Sequence, residues 1–444
     1  MMIDSPRSRP EQAHRWSILA WPVVFALLLR VAMLLLALHA TGTTAIAAGD
    51  TASYLQPATE LLHRGCFCIN GQPQIDRTPG YPVFALLLGA ASGHLLPLLL
   101  AQIALSVIAL ALVAALVGAL TRSHRSARAT AWLLACEPLS ATHSIRVLSE
   151  TLFDFFFVLL LFVLIRWLNQ RRLRSAVLAG ALLAVLAYVR PVAYSFALPI
   201  AFALPLLAPD ANILPRSRRW FHAAAFLAVF AALVLPWQLR NHRAANTFAF
   251  SSVADKNLYF YVAGDVLAHQ SRLPLEAWQR SVGKDDPALW LRLHPDQEHF
   301  TPSQRARWLR DQALRVLAAH RWLFLRSWFL GEIRLLASPG TTQLFRLFAL
   351  SPRPATAAQW LIVVACMLYL LLLYVLMAIA IRRRVLVPRV LTLLLLLAAF
   401  FFAVSGGGQA VSRLRMPVMP ILCLIAGSAF ANSSERNGSQ SKAR

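Results

Sequence analysis

The sequence predicts an all-α protein that crosses a membrane about ten times. Three observations predict it. Hydrophobic residues make up 58% of the 444 residues and charged residues only 14%, where a soluble domain carries about 25% charged residues. The apolar residues are gathered into runs, not spread periodically; a run of about 20 crosses the roughly 30 Å of hydrocarbon in a bilayer. Arginines mark the ends of those runs, as membrane anchors do.

Taken in order, the expected spans are 17–40, 95–120, 130–145, 151–167, 176–189, 192–207, 221–236, 358–381, 390–404 and 417–430. The fifth and sixth would form one run too long for a single crossing, and Pro191 divides them. The first span follows Arg7, Arg9 and Arg15 and precedes Ala45-Ile46-Ala47, a pattern reminiscent of a cleavage site. Its length and Arg30 favour an uncleaved helix, since a signal-peptide core is about 7–15 residues.

The net charge of +24 does not indicate a nucleic-acid partner, because the basic residues follow the spans. Lys256, Lys284 and Lys442 are the only lysines. The bias to arginine is what codon usage in a GC-rich genome produces. Short loops hold Arg122, Arg125 and Arg128; Arg171, Arg172 and Arg174; Arg216, Arg218 and Arg219; and Arg382, Arg383 and Arg384. With about ten spans, all four loops share the side of the N-terminus, which the positive-inside rule makes cytoplasmic. Residues 1–431 then form one membrane domain and 432–444 a polar cytoplasmic tail, whose Asn432 and Asn437 sequons carry no meaning there. Two outer segments remain, at about 41–94 and 239–357.

The second outer segment becomes helical at Thr301-Pro302-Ser303-Gln304, a capping box with proline at the first helical position. Beyond it, Trp308, Leu314, Trp322, Phe324 and Trp328 alternate with Arg307, Arg310, Arg315, Arg321 and Arg326. A helix of that composition lies in the membrane interface; an additional span over 323–336 is the alternative.

The chemistry-bearing residues gather at the outer ends of the spans. Asp50 follows Gly49 at the membrane–water boundary, where partial desolvation tunes a carboxylate toward base work; as a loop acid or helix cap it would be unremarkable chemistry. A short helix ends at Gly65. Asp76-Arg77-Thr78-Pro79-Gly80-Tyr81-Pro82 forms a rigid helix-opening turn. Glu150 and Asp154 share a helix face if the fourth span is continuous, and Arg146, four residues earlier, is a simple ion-pair partner for Glu150. Arg30 and Glu137 fall near mid-span, where a charge faces a partner or a cavity. Arg190, Arg240, Arg413 and Arg415 stand at outer span ends, placed for snorkelling or for phosphate. Of five cysteines, Cys136, Cys366 and Cys423 lie in apolar runs as packing residues. Cys66 and Cys68 are one residue apart, so a bond between them would close a very small ring; they stand open between unpaired thiols and a redox-sensitive spot. Asp-x-Asp, the usual metal motif of nucleotide-sugar enzymes, is absent.

Gly49-Asp50, Arg77-Thr78-Pro79-Gly80-Tyr81-Pro82, Ser149-Glu150-Thr151-Leu152-Phe153, Arg190-Pro191, Pro236-Trp237-Gln238-Leu239-Arg240-Asn241 and Arg413-Leu414-Arg415-Met416-Pro417 occur in that order. In this the chain resembles bacterial GT-C membrane glycosyltransferases, of the protein mannosyltransferase and lipid A aminoarabinose transferase group, from about Leu27 to Leu424. The resemblance implies a GT-C-type bundle with juxtamembrane helices on the outer face. It further implies a multi-pass enzyme of the bacterial inner membrane that takes a polyprenyl-phosphate sugar donor and a lipid, glycan or protein acceptor of the envelope. Asp50 matches the family's catalytic acid, with Glu150 as a second. Arg77, Arg190, Arg413 and Arg415 are the implied phosphate ligands, and Tyr54, Tyr81, Arg240 and Asn241 the implied substrate contacts. No particular cofactor is implied; a divalent cation on Asp76, His63 and His242 is compatible, since some relatives hold one near this loop. Relatives often carry a soluble C-terminal domain, so acceptor recognition here is expected from the outer loops. A lipid-linked sugar flippase or transporter, a glycan polymerase or ligase, and a non-catalytic scaffold are the competing readings.

Overall fold

The computed structural model describes residues 9–47, 49–208 and 214–431. Arg7 and the 432–444 tail with its two sequons lie outside them. The bundle comprises α1 (Arg9–Thr41), α2 (Thr51–Arg64), α3 (Gly80–Leu87), α4 (Leu95–Thr121), α5 (His124–Ala135), α6 (Pro138–Ser144), α7 (Glu150–Gln170), α8 (Leu173–Val189), α9 (Ala197–Leu207) and α10 (Arg216–Ala245). A segment of mostly short helices follows: α11 (Val253–Asn257), α12 (Gly264–Gln270), α13 (Leu275–Ser281), α14 (Pro287–Leu293), α15 (Pro302–Ala319), α16 (Arg321–Ala337) and α17 (Thr341–Leu347). Helices α18 (Ala357–Arg382), α19 (Pro388–Ser405) and α20 (Met419–Ser428) return to the bundle. The only strands among the described residues, β1 (Cys68–Ile69) and β2 (Gln72–Pro73), form a small antiparallel hairpin.

The chain is an all-α polytopic membrane protein, but the expected spans are not equal. Among the described residues six helices are long and apolar enough to cross a bilayer: Ile18–Thr41 within α1, then α4, α7, α10, α18 and α19. Helices α8 and α9 are shorter, and α9 is preceded by a 3-10 turn over Pro191–Phe196. The run at 130–145 breaks into α5 and α6, because Pro138 opens a new helix that Glu137 caps through its side chain. The run at 417–430 yields the ten-residue α20, which at 1.5 Å per residue reaches about 15 Å, half of the hydrocarbon thickness. Its ten residues are all buried. Gly427 lets it lie against α5, since a Cβ there would stand 1.9 Å from the Thr130 hydroxyl. Conversely, α10 runs through Pro236 to Ala245, well past the expected end of that span.

The two ends of the bundle are distinct. Helix α7 begins at Glu150 and ends at Gln170; α8 returns to Arg190, which pairs with Glu150. At the other end Arg171 adjoins Arg219 and Arg389, and Arg383 donates to the Ala429 carbonyl at 3.3 Å. The segment from α11 to α15 has its own aromatic core of Tyr259, Phe260, Trp278 and Trp290 under α15. The Thr301–Gln304 capping box forms at the start of α15. Helix α16 is not among the described helices that are long and apolar enough to span.

Candidate functional site

Two loops stitched together bring the acids side by side. Val147 N–H donates to the Ile46 carbonyl at 3.1 Å, and the Thr51 hydroxyl donates to the Val147 carbonyl at 2.9 Å. Asp50, at the start of α2, is thereby held against Glu150 at the start of α7. Arg77 arrives from the turn before α3. That helix sits directly on the end of α8, since a Cβ on Gly80 would stand 2.6 Å from the Tyr188 backbone; Arg77 and Arg190 therefore share one rim. Arg413 completes the rim from the 3-10 turn at Ser412–Val418.

The charges alternate. Arg77 Nη2 meets Asp50 Oδ1 at 3.0 Å, and Arg413 Nη2 meets Asp50 Oδ2 at 2.6 Å. Arg413 Nε meets Glu150 Oε1 at 2.5 Å, and Arg190 Nη1 meets the same oxygen at 2.8 Å. Three arginines against two carboxylates leave one formal positive charge. The Asp50 side chain is 37% exposed and that of Glu150 0%, so of the two acids Asp50 is the one open to a substrate. Burial alone would raise the Asp50 pKa; Arg413 and Arg77 outweigh it and hold the carboxyl below the usual aspartate range. Burial likewise opposes charge on Arg413, and Glu150 with Asp50 overcome that, raising its pKa. The carboxylate is thus ionised at neutral pH, and so are its flanking cations.

The other expected site residues divide. Tyr54 joins the rim: its hydroxyl shares a hydrogen bond with Ser149 at 3.0 Å, accepts from Arg77 at 3.3 Å, and its ring lies 4.6 Å beneath the Arg77 guanidinium. Tyr81 stands behind it, fully buried, donating to Gln102 Oε1 at 2.8 Å; it supports Tyr54 edge-on at 4.9 Å and reaches no open surface. Arg415, expected as a phosphate ligand, meets backbone carbonyls at the end of a helix. It is 1% exposed and donates to the carbonyls of Leu335 at 2.7 Å, Leu336 at 2.9 Å and Ser338 at 2.8 Å, satisfying the orphan acceptors at the end of α16. Arg240 and Asn241, expected as substrate contacts, also meet backbone carbonyls. Arg240 donates to Gln74 O at 2.8 Å and Phe67 O at 2.5 Å, stacking 4.9 Å from Trp237. Asn241 donates to Ala249 O at 2.9 Å.

The possible cation ligands do not assemble. Asp76 is taken by Lys256 and Ser252, His242 stacks 4.1 Å from Phe248, and His63 is exposed on α2. Among the described residues, the one group with metal-ligand spacing is Glu60, Cys66 and Cys68, and Cys66 is bonded to Cys68. Glu137 and Arg30 do not form an ion pair with each other among the described residues: Glu137 accepts from Leu139 N at 3.1 Å, while Arg30 donates to Ser106 Oγ at 3.0 Å. Asp154 lies one turn below Glu150, buried. Arg146 does not pair with Glu150, because α7 begins only at Glu150 and the i,i+4 register does not exist. Sequence reasoning did not pick out Ser53 and Ser149, which hold Arg77 and Tyr54; Ser149 stands next to Glu150 in the same motif, the only signal it gives.

No curated protein matches the chain. Residues 77–237, a little over a third of it, match the family model described as dolichyl-phosphate-mannose-protein mannosyltransferase. The matched segment begins at Arg77 and includes Glu150 and Arg190.

Proposed function

We propose that the chain is a membrane glycosyltransferase of the GT-C type, as the family match over 77–237 supports, and that it moves a sugar from a polyprenyl-phosphate donor to an acceptor hydroxyl or amine at the outer face of a bacterial inner membrane. The observation that carries the reading is Asp50, an open carboxylate held between Arg77 and Arg413 at the end of the bundle opposite the arginine loops. In the step, the acceptor heteroatom forms a bond to the anomeric carbon while the carbon–oxygen bond to phosphate breaks. The electron pair leaves with the lipid phosphate, and the acceptor proton passes to Asp50 and then to water.

Lipid phosphate is already a good leaving group, so positive charge serves it better than a general acid. One base suffices, unlike the paired carboxylates of glycoside hydrolysis. Glu150 fixes Arg190 and Arg413 without meeting substrate. Purified Asp50→Asn protein, supplied with lipid-linked donor and assayed by mass spectrometry, is expected to insert normally and to lose transfer by about 10²–10⁴-fold. Full activity would remove Asp50 from the reaction. Comparing lipids, glycans and envelope proteins of a deletion strain with wild type identifies sugar and acceptor; lipid transport without covalent transfer in liposomes would favour a flippase.

A further inference from the structure

Arg146 has no carboxylate partner among the described residues, although it is only 5% exposed. Its Nη1 donates to the neutral Gln343 amide at 3.0 Å, and its buried Nε has no hydrogen-bond partner. A buried guanidinium in that condition is costly unless something supplies the missing anion. Nothing about its backbone is loose. Its carbonyl accepts from Gln102 Nε2 at 2.7 Å, and its N–H donates to the His143 carbonyl at 3.3 Å.

The surroundings add positive charge. Helix α17 brings Gln343 and, one turn on, the exposed Arg346. The start of α17 touches the Arg413 turn, since a Cβ on Gly340 would contact Ser412 Oγ at 3.4 Å. Burial first, and then the like charge of Arg413, draws the Arg146 pKa down, with Glu150 and Asp50 opposing and Arg346 adding to the fall. Arg77, by contrast, has every nitrogen committed: Nε to Ser53 at 3.0 Å, Nη1 to Tyr54 at 3.3 Å and Nη2 to Asp50 at 3.0 Å. It orients the carboxylate, whereas Arg146 has a buried Nε with no partner.

We propose that Arg146, with Arg346 and Arg413, forms a phosphate subsite beside Asp50. It takes the phosphate of the lipid donor and retains the lipid phosphate after transfer. The proposal rests on the donor class given above and moves the main phosphate contact away from Arg77. A phosphate there fills the unused Nε–H of Arg146 and gives that guanidinium the counter-charge that Arg413 already has in Asp50 and Glu150.

The test is binding by the full-length protein in nanodiscs, with polyprenyl phosphate, inorganic phosphate and the phosphate-free polyprenol as separate probes. Arg146→Gln is expected to weaken polyprenyl phosphate about 10- to 100-fold and to leave polyprenol unchanged. Arg146→Lys should recover part of the loss, and the surface variant Arg346→Gln should lose several-fold with an unaltered thermal midpoint. If wild type binds the phosphate lipid and both Gln variants bind it equally well, the subsite falls while the donor class stands. If wild type binds inorganic phosphate alone and Arg146→Gln loses it, the subsite stands and the donor class falls.

Discussion

Both ends of the bundle are rich in arginine, yet they are built differently. At one end Arg77, Arg190 and Arg413 are threaded between Asp50 and Glu150. At the other, Arg171 has Arg219 and Arg389 as neighbours, and their like charges repel. Arginines left to water and lipid headgroups orient a protein in its membrane. Arginines locked to carboxylates in a low-dielectric rim hold charges in place for a reaction. Composition counts the two kinds alike; only their counter-charges tell them apart.

Replacing Glu150 by Gln attacks the locked end hardest. It leaves Arg190 and Arg413 facing a neutral buried amide, and unfolding assays should show about 3–5 kcal/mol of lost stability together with loss of transfer. Wild-type thermal stability in Glu150→Gln would mean that the rim is not held by its charges. Next come two arginines a single residue apart. Arg415→Ala should cost about 1–3 kcal/mol by orphaning the carbonyls at the end of α16, whereas Arg413→Ala should fold and fail in transfer. If the two variants behave alike, the division between brace and rim is wrong.

A pH profile sharpens the same contrast. Because Arg413 and Arg77 hold Asp50 below its ordinary value of 3.8, the carboxylate form persists as pH falls through that value, and the acid limb of kcat/KM should lie beneath it. Arg77→Gln removes one of the cations, so the limb should move upward. The smallest effect belongs to the other end. Arg382, Arg383 and Arg384 changed together to Gln should alter insertion, read by reporter fusions, while the turnover of correctly inserted protein stays within about twofold. Loss of turnover there would join the two ends in one mechanism.

Much of the fold is legible because hydrocarbon thickness imposes a length on apolar runs. Helices α4, α7, α18 and α19 lie where those runs fall. What periodicity misses is local termination. Cys136-Glu137-Pro138 reads as mid-span, yet an acid followed by proline is also a helix cap and start. The run around α20 is apolar enough to span but spends its first residues on the 3-10 turn that delivers Arg413. In the site, Asp50, Arg77, Glu150, Arg190 and Arg413 were visible as charges at outer span ends. Whether such an arginine meets a carboxylate or a backbone carbonyl depends on tertiary neighbours, so Arg415, Arg240 and Asn241 were indistinguishable from them in one dimension. Arg146 shows the converse error, because its spacing from Glu150 invited a pairing that the kinked linker forbids.

The Cys66–Cys68 bond lies at the start of the hairpin. A disulfide persists where no glutathione or thioredoxin system reduces it. The pair lies on the stretch that leads into Arg77, at the rim end of the bundle. The oxidation state of the two sulfurs is therefore a test of orientation separate from the charge of the arginine loops. Alkylation of intact cells with and without a reductant that stays outside the membrane reads it: a bond reduced only by that reagent puts the rim outside, and free thiols from the start put it inside.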